Sequence, residues 1–124
     1  MRSRVTDVID DPSETISLLK VALPNIADDL DFDEGPYVVL GDLAILLRDG
    51  INLGRYSESE LNAIFEFLNR LGFSENTEVQ NQLVVGILEI LTDSPECITI
   101  CRQLLEGPAL QLFERMTNGW QASS

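Results

Sequence analysis

The stretch QLVVGILEIL, residues 82–91, constrains the fold more than any other part of this chain. Between Leu83 and Leu91 only Gly86 and Glu89 are not aliphatic, so a helix here has almost no polar side to offer water. The run is far short of the roughly 20 apolar residues that a membrane span requires. It must instead be wrapped by other parts of the same chain, and NTEVQNQLVVGILEILTD reads as the middle helix of a bundle. At about 100° per residue, Glu78, Gln82, Gly86, Glu89 and Asp93 share one narrow stripe, the expected exposed edge of that helix.

The surrounding sequence supplies the wrapping helices, and nothing in it reads as strand. DDPSETISLLKVALP opens with Pro12 and Ser13 as start signals and stops at Pro24, which a helix interior would not tolerate. Pro24 then heads a short turn, PNIADDL. GPYVVLGDLAILLRDG places Pro36 at a helix start and Gly50 where a C-terminal cap belongs. INLGRY follows as a connector. YSESELNAIFEFLNRLG carries a capping box, Ser57 with Glu60 three residues on, and Tyr56 and Leu61 stand at the staple positions. Its apolar residues Leu61, Ile64, Phe65, Leu68 and Leu71 repeat with helical spacing up to Gly72. Two closing helices are SPECITICRQLLEG, from the Ser94 cap to Gly107, and PALQLFERMTNG.

The reading is an all-α fold, a single compact irregular bundle of about six helices. An N-terminal lead-in covers residues 1–12, the helical domain 13–118, and a C-terminal tail 119–124. AIFEFLNR, GILEILTD and QLFERMTN echo one another at spacings of 23 and 25 residues. Helical solenoid repeats are longer, roughly 33 to 47 residues, so a HEAT-like stack is the secondary arrangement.

Charge narrows the function. The chain has 21 acids against 8 bases, a net charge of −13, and Lys20 is its one lysine. Phosphate backbones and anionic membranes both call for Lys/Arg patches, so neither nucleic acid nor membrane is expected as a partner. A basic protein is favoured, because complementary fields speed encounter and reject wrong partners. The N-terminal MRSRVTDVIDD has basic residues with no apolar run after them, which points to the cytoplasm. Histidine is absent, removing the commonest general base, and no Gly-rich phosphate loop occurs. A non-enzymatic protein without cofactor is expected. Cys97 and Cys101, one helical turn apart, lack the second ligand pair of a zinc site and read as reduced, packed thiols.

The densest cluster of acids is ADDLDFDEGPY, with Asp28, Asp29, Asp31, Asp33 and Glu34 inside seven residues. Aligned as a calcium loop, Asp29, Asp31 and Asp33 would be followed by Glu34 in place of the required glycine and Leu40 in place of the closing glutamate, so no metal site is expected. Leu30 and Phe32 alternate with the acids and Tyr37 follows. Either Phe32 and Tyr37 are interface anchors among steering carboxylates, or the apolar residues turn inward and the acids face water. Asp42, inside YVVLGDLAILL, is an edge residue of its helix or an extension of the negative surface.

Gly41-Asp42-Leu43-Ala44 and the helix EVQNQLVVGILEIL, with the acidic approach before them, resemble small all-helical bacterial immunity proteins of polymorphic and contact-dependent toxin systems over residues 20–116. The resemblance implies a cytoplasmic inhibitor that binds a cognate, basic toxin domain one-to-one and blocks its active site. Residues 28, 29, 31, 32, 33, 34, 37 and 42 form the candidate partner-binding set, chosen on charge clustering. A helical scaffold or adaptor, using a groove along Glu78, Gln82, Glu89 and Asp93, is the alternative.

Overall fold

The computed structural model describes the backbone of residues 11–123 and side chains through residue 117; most of the expected lead-in lies outside the described residues. The chain is 79% helical, with seven helices and no strand among the described residues. They are α1 (Glu14–Ala22), α2 (Pro24–Ala27), α3 (Pro36–Asn52), α4 (Glu58–Gly72), α5, α6 (Pro95–Leu104) and α7 (Gly107–Ser123). Helix α5 is continuous over 77–91 but composite, with a π-helical turn, Val84–Leu88, between α-helical Thr77–Leu83 and Glu89–Leu91. A 3₁₀ turn, Phe32–Glu34, precedes α3.

Burial follows the apolar pattern. Val79, Leu83, Ile87, Leu88 and Leu91 of α5 are all inaccessible to solvent, as are Leu40, Leu43 and Leu47 of α3 and Leu68 and Leu71 of α4. Ile64, Phe65 and Phe67 of α4 are only 1% exposed. Helix α5 touches α3 along its length and α4 mainly through Thr77–Leu83, and α4 packs most extensively on α7. The central position expected for 78–91 is the one observed.

Helix starts obey local chemistry. Ser57 Oγ accepts the Glu60 amide at 3.1 Å while Glu60 Oε1 accepts the Ser57 amide at 2.9 Å, completing the capping box. For α1 the capping side chain is Asp11 rather than Ser13. Asp11 accepts from the Ser13 amide at 3.0 Å, and its own amide donates to Glu14 at 3.3 Å. Hydrogen bonds from the Ser13 backbone and side chain hold the Asp11 carboxyl below the usual carboxylate range. Ser94 accepts the Cys97 amide and donates to Asn52 Oδ1 at 2.6 Å, tying the end of α3 to the start of α6.

Two expected stop glycines act differently. Gly50 is buried inside α3, where a Cβ would collide with the Tyr56 ring. The cap is Gly54 at φ 68°, where the Arg55 amide reaches Gly50 O at 2.8 Å and the Gly54 amide reaches Ile51 O at 3.2 Å. This is the paired Schellman closure, in which the left-handed residue favours glycine. Likewise Gly107, at φ 54°, opens α7 instead of stopping α6, which ends at Leu104. There Asn69 of α4 bridges the junction, donating to Leu104 O at 3.2 Å and accepting the Glu106 amide at 2.8 Å. Gly72 closes α4 and permits close approach: a Cβ would sit 2.6 Å from Ala109 Cβ and N.

Candidate functional site

The acidic connector and the first half of α3 carry the candidate partner-binding residues. Asp28, Asp29, Asp31, Asp33 and Glu34 are exposed. Asp31 also accepts the Asp33 amide at 3.0 Å, capping the 3₁₀ turn. Leu30 and Phe32 turn the other way and pack, partly buried, on the core. Lys20 Nζ lies over the Phe32 ring, 4.5 Å from its centroid, a cation–π contact. Phe32 is thus a foot of the connector rather than a free anchor, the physical reason being the apolar surface beneath it. Tyr37 is 40% exposed, and its hydroxyl donates to Glu78 Oε2 at 2.6 Å. That carboxylate holds the tyrosine proton and raises the pKa of the phenol.

Asp42 is exposed in the middle of α3 and shares its outward stripe with Asp49. Arg48 pairs with Asp49 at 3.3 Å and with Asp93 at 3.5 Å, linking α3 to the end of α5. All three side chains are 30% or more exposed, so these pairs orient the helices more than they stabilise them.

The polar stripe expected along α5 does not form one open edge. Glu78, Glu89 and Asp93 are exposed, but Gln82 is 1% exposed and Gly86 is buried. Helix α1 covers Gln82: Thr15 Oγ1 donates to its Oε1 at 2.7 Å, and its Nε2 donates to Pro12 O at 3.4 Å. Gly86 lies under Leu40 and Tyr37 of α3. A groove along residues 78, 82, 89 and 93 is therefore interrupted at its second member.

Exposed apolar residues were absent from the charge-based reading. Val38 (46%) and Ile45 (41%) of α3 face outward, as does Val85 (51%) of α5. For Val38 and Ile45 the signal was the excess of apolar residues in YVVLGDLAILL, more than one buried stripe of a helix can use.

Cys97 and Cys101 are unpaired and buried, and Cys97 Sγ lies 3.9 Å from Arg48 O. Burial pushes the Cys101 thiol up to about 12, with Cys97 beside it adding to the effect, and raises Cys97 too. A folded-state pKa above the unfolded value of about 8.5 means the folded chain keeps its proton longer. The stability this contributes is complete below about pH 8.5 and is lost as pH rises toward 12. The urea midpoint should thus fall above pH 9, less steeply in Cys101→Ala, and a thiol reagent at pH 8 should modify the native protein only as fast as it unfolds.

Among the described residues, no group of three or more His, Cys, Asp or Glu is placed to hold a metal ion. Among them, too, no helix is long and apolar enough to cross a membrane.

These features define a small all-α protein with an acidic, partly apolar exterior. The chain belongs to the family described as Domain of unknown function (DUF7674), whose model matches residues 16–121. It matches no curated protein and no solved structure.

Proposed function

We propose that this protein is a non-enzymatic, cytoplasmic immunity protein that binds a cognate basic bacterial toxin domain one-to-one and neutralises it by covering its active site. The observation that carries this reading is the outward display of Asp28, Asp29, Asp31, Asp33, Glu34 and Asp42 on a chain of net charge −13. Among the described residues, the ion pairs involve Asp49, Asp93, Glu66 and Glu114 and none of those six acids. Their field is left to act on a partner. Steering of this kind raises association rates by roughly 10- to 1,000-fold and falls steeply with salt.

The test is to find whether a neighbouring gene encodes a large toxin and to co-express that toxin's C-terminal domain with this protein. Restored growth and a one-to-one complex are expected. With Asp28, Asp29, Asp31 and Asp33 all changed to Lys, association should slow about tenfold or more at low salt and much less at high salt. A toxin domain that is neither bound nor neutralised would sink the proposal.

A further inference from the structure

Gly41 is unexplained by the fold around it. A glycine in a helix interior costs about 1 kcal/mol relative to alanine. Gly50, Gly72 and Gly86 accept close neighbours that a Cβ would crowd, and Gly35, Gly54 and Gly107 have positive φ. Among the described glycines, Gly41 alone has neither justification: the nearest atom to an added Cβ is Ile90 Cδ1, at an ordinary 3.9 Å. The space of the missing Cβ is a small gap beside Ile90, and Gly41 itself is only partly buried.

Its surroundings form a single two-helix face. Helices α3 and α5 run side by side in the same direction, as the contacts Tyr37–Glu78, Gly41–Ile90 and Arg48–Asp93 require. On α3, Val38, Asp42, Ile45 and Asp49 share the stripe opposite the buried Leu40, Leu43 and Leu47. On α5, Val85 and Glu89 are the exposed positions beside Ile90. With the core on the same side of both helices, these stripes point outward together. The result is an apolar strip of Val38, Ile45 and Val85 around the gap, with Asp42, Asp49 and Glu89 set into it. Arg48, the one base at this face, already serves Asp49 and Asp93.

We infer that this face, centred on the gap at Gly41, docks a basic amphipathic helix of a protein partner. The chemistry selects the occupant. Apolar side chains at i and i+7 of a visiting helix match Val38 and Ile45, seven residues apart, and Lys or Arg on its flanks match the acids. The 17 residues of α3 span about 26 Å, enough to seat about four turns. The inference rests on the reading of a basic protein partner, and moves the contact from the connector to α3 and α5.

The experiment titrates the ¹⁵N-labelled full chain with a 15-residue helical peptide bearing Leu on one face and Lys on its flanks. A matched peptide with Glu for Lys is the control. Saturable binding of the Lys peptide alone is expected, with amide shifts at residues 38–49 and 85–90. Gly41→Leu, which fills the gap, should weaken binding at least tenfold without lowering the melting temperature; Ile45→Arg, at an exposed site, should weaken it similarly. No saturable binding, equal binding of the Glu peptide, shifts confined to residues 28–34, or full affinity in both variants would overturn the assignment. The toxin co-expression assay separates the two proposals. Rescue that persists undiminished in Gly41→Leu and Ile45→Arg removes this face and leaves neutralisation standing, whereas failure of the native chain to rescue removes neutralisation while the peptide titration still decides the face.

Discussion

Gly72→Ala should lose about 3 kcal/mol of stability, at the upper end for a single methyl group forced into a packed interior. The new Cβ would meet Ala109 Cβ and N at 2.6 Å and Cα at 2.7 Å. Two of those three atoms are backbone, so no rotamer change relieves the clash. Ala109 also cannot retreat easily, because the Asn69 bridge fixes the turn just before it. Helices α4 and α7 must separate, loosening Phe113 and Leu105 in the core. A drop of about 1–2 M in the urea midpoint is the expected reading. Gly41→Ala is the control: the same change in an open helix interior should gain up to about 1 kcal/mol. Equal midpoints for the two variants would show that the α4–α7 contact is not close-packed.

The second large effect is expected at Gln82. Gln82→Ala should cost about 2–3 kcal/mol, because it leaves the buried Thr15 hydroxyl without its acceptor and opens a void. Helix α1 is held over α5 by this side chain, so its amides should exchange faster with solvent. The combination Thr15→Val with Gln82→Leu removes both polar partners while keeping their volumes. It should recover most of the loss, since replacing both members of a buried hydrogen bond can be nearly neutral. If the double variant is as unstable as Gln82→Ala, the amide contributes through Pro12 O rather than through Thr15.

Those two sites also mark the boundary of what the sequence discloses. The capping box at Ser57 and Glu60, the Pro36 helix start and the central apolar helix were legible because each depends on neighbours within a few residues. Gln82 belonged by periodicity to a polar edge, yet its burial is decided by Thr15, 67 positions away. Gly50 and Gly54 are both plausible caps by composition, and only the placement of the Tyr56 ring separates them. The acids of the connector were legible as a cluster and are indeed exposed. The inward turn of Phe32 under Lys20 was one of two patterns that the alternation allowed. The face joining Val38 and Ile45 to Val85 could not be read at all, since it exists only once α3 and α5 lie side by side.

The π turn at Val84–Leu88 decides how this helix tolerates a change of length. Such a turn holds one residue more than a regular helix would over the same rise, so the α-helical segments on either side keep the facing they would have in a regular helix one residue shorter. Deleting one residue within Val84–Leu88 would restore even winding and leave everything from Glu89 onward facing as it does now, whereas deleting one beyond the turn would swing the remainder by about 100°. The first deletion should keep the Arg48–Asp93 pair and the second should lose it. The wide turn is thus the place where this helix can change length by one residue with its core left in place.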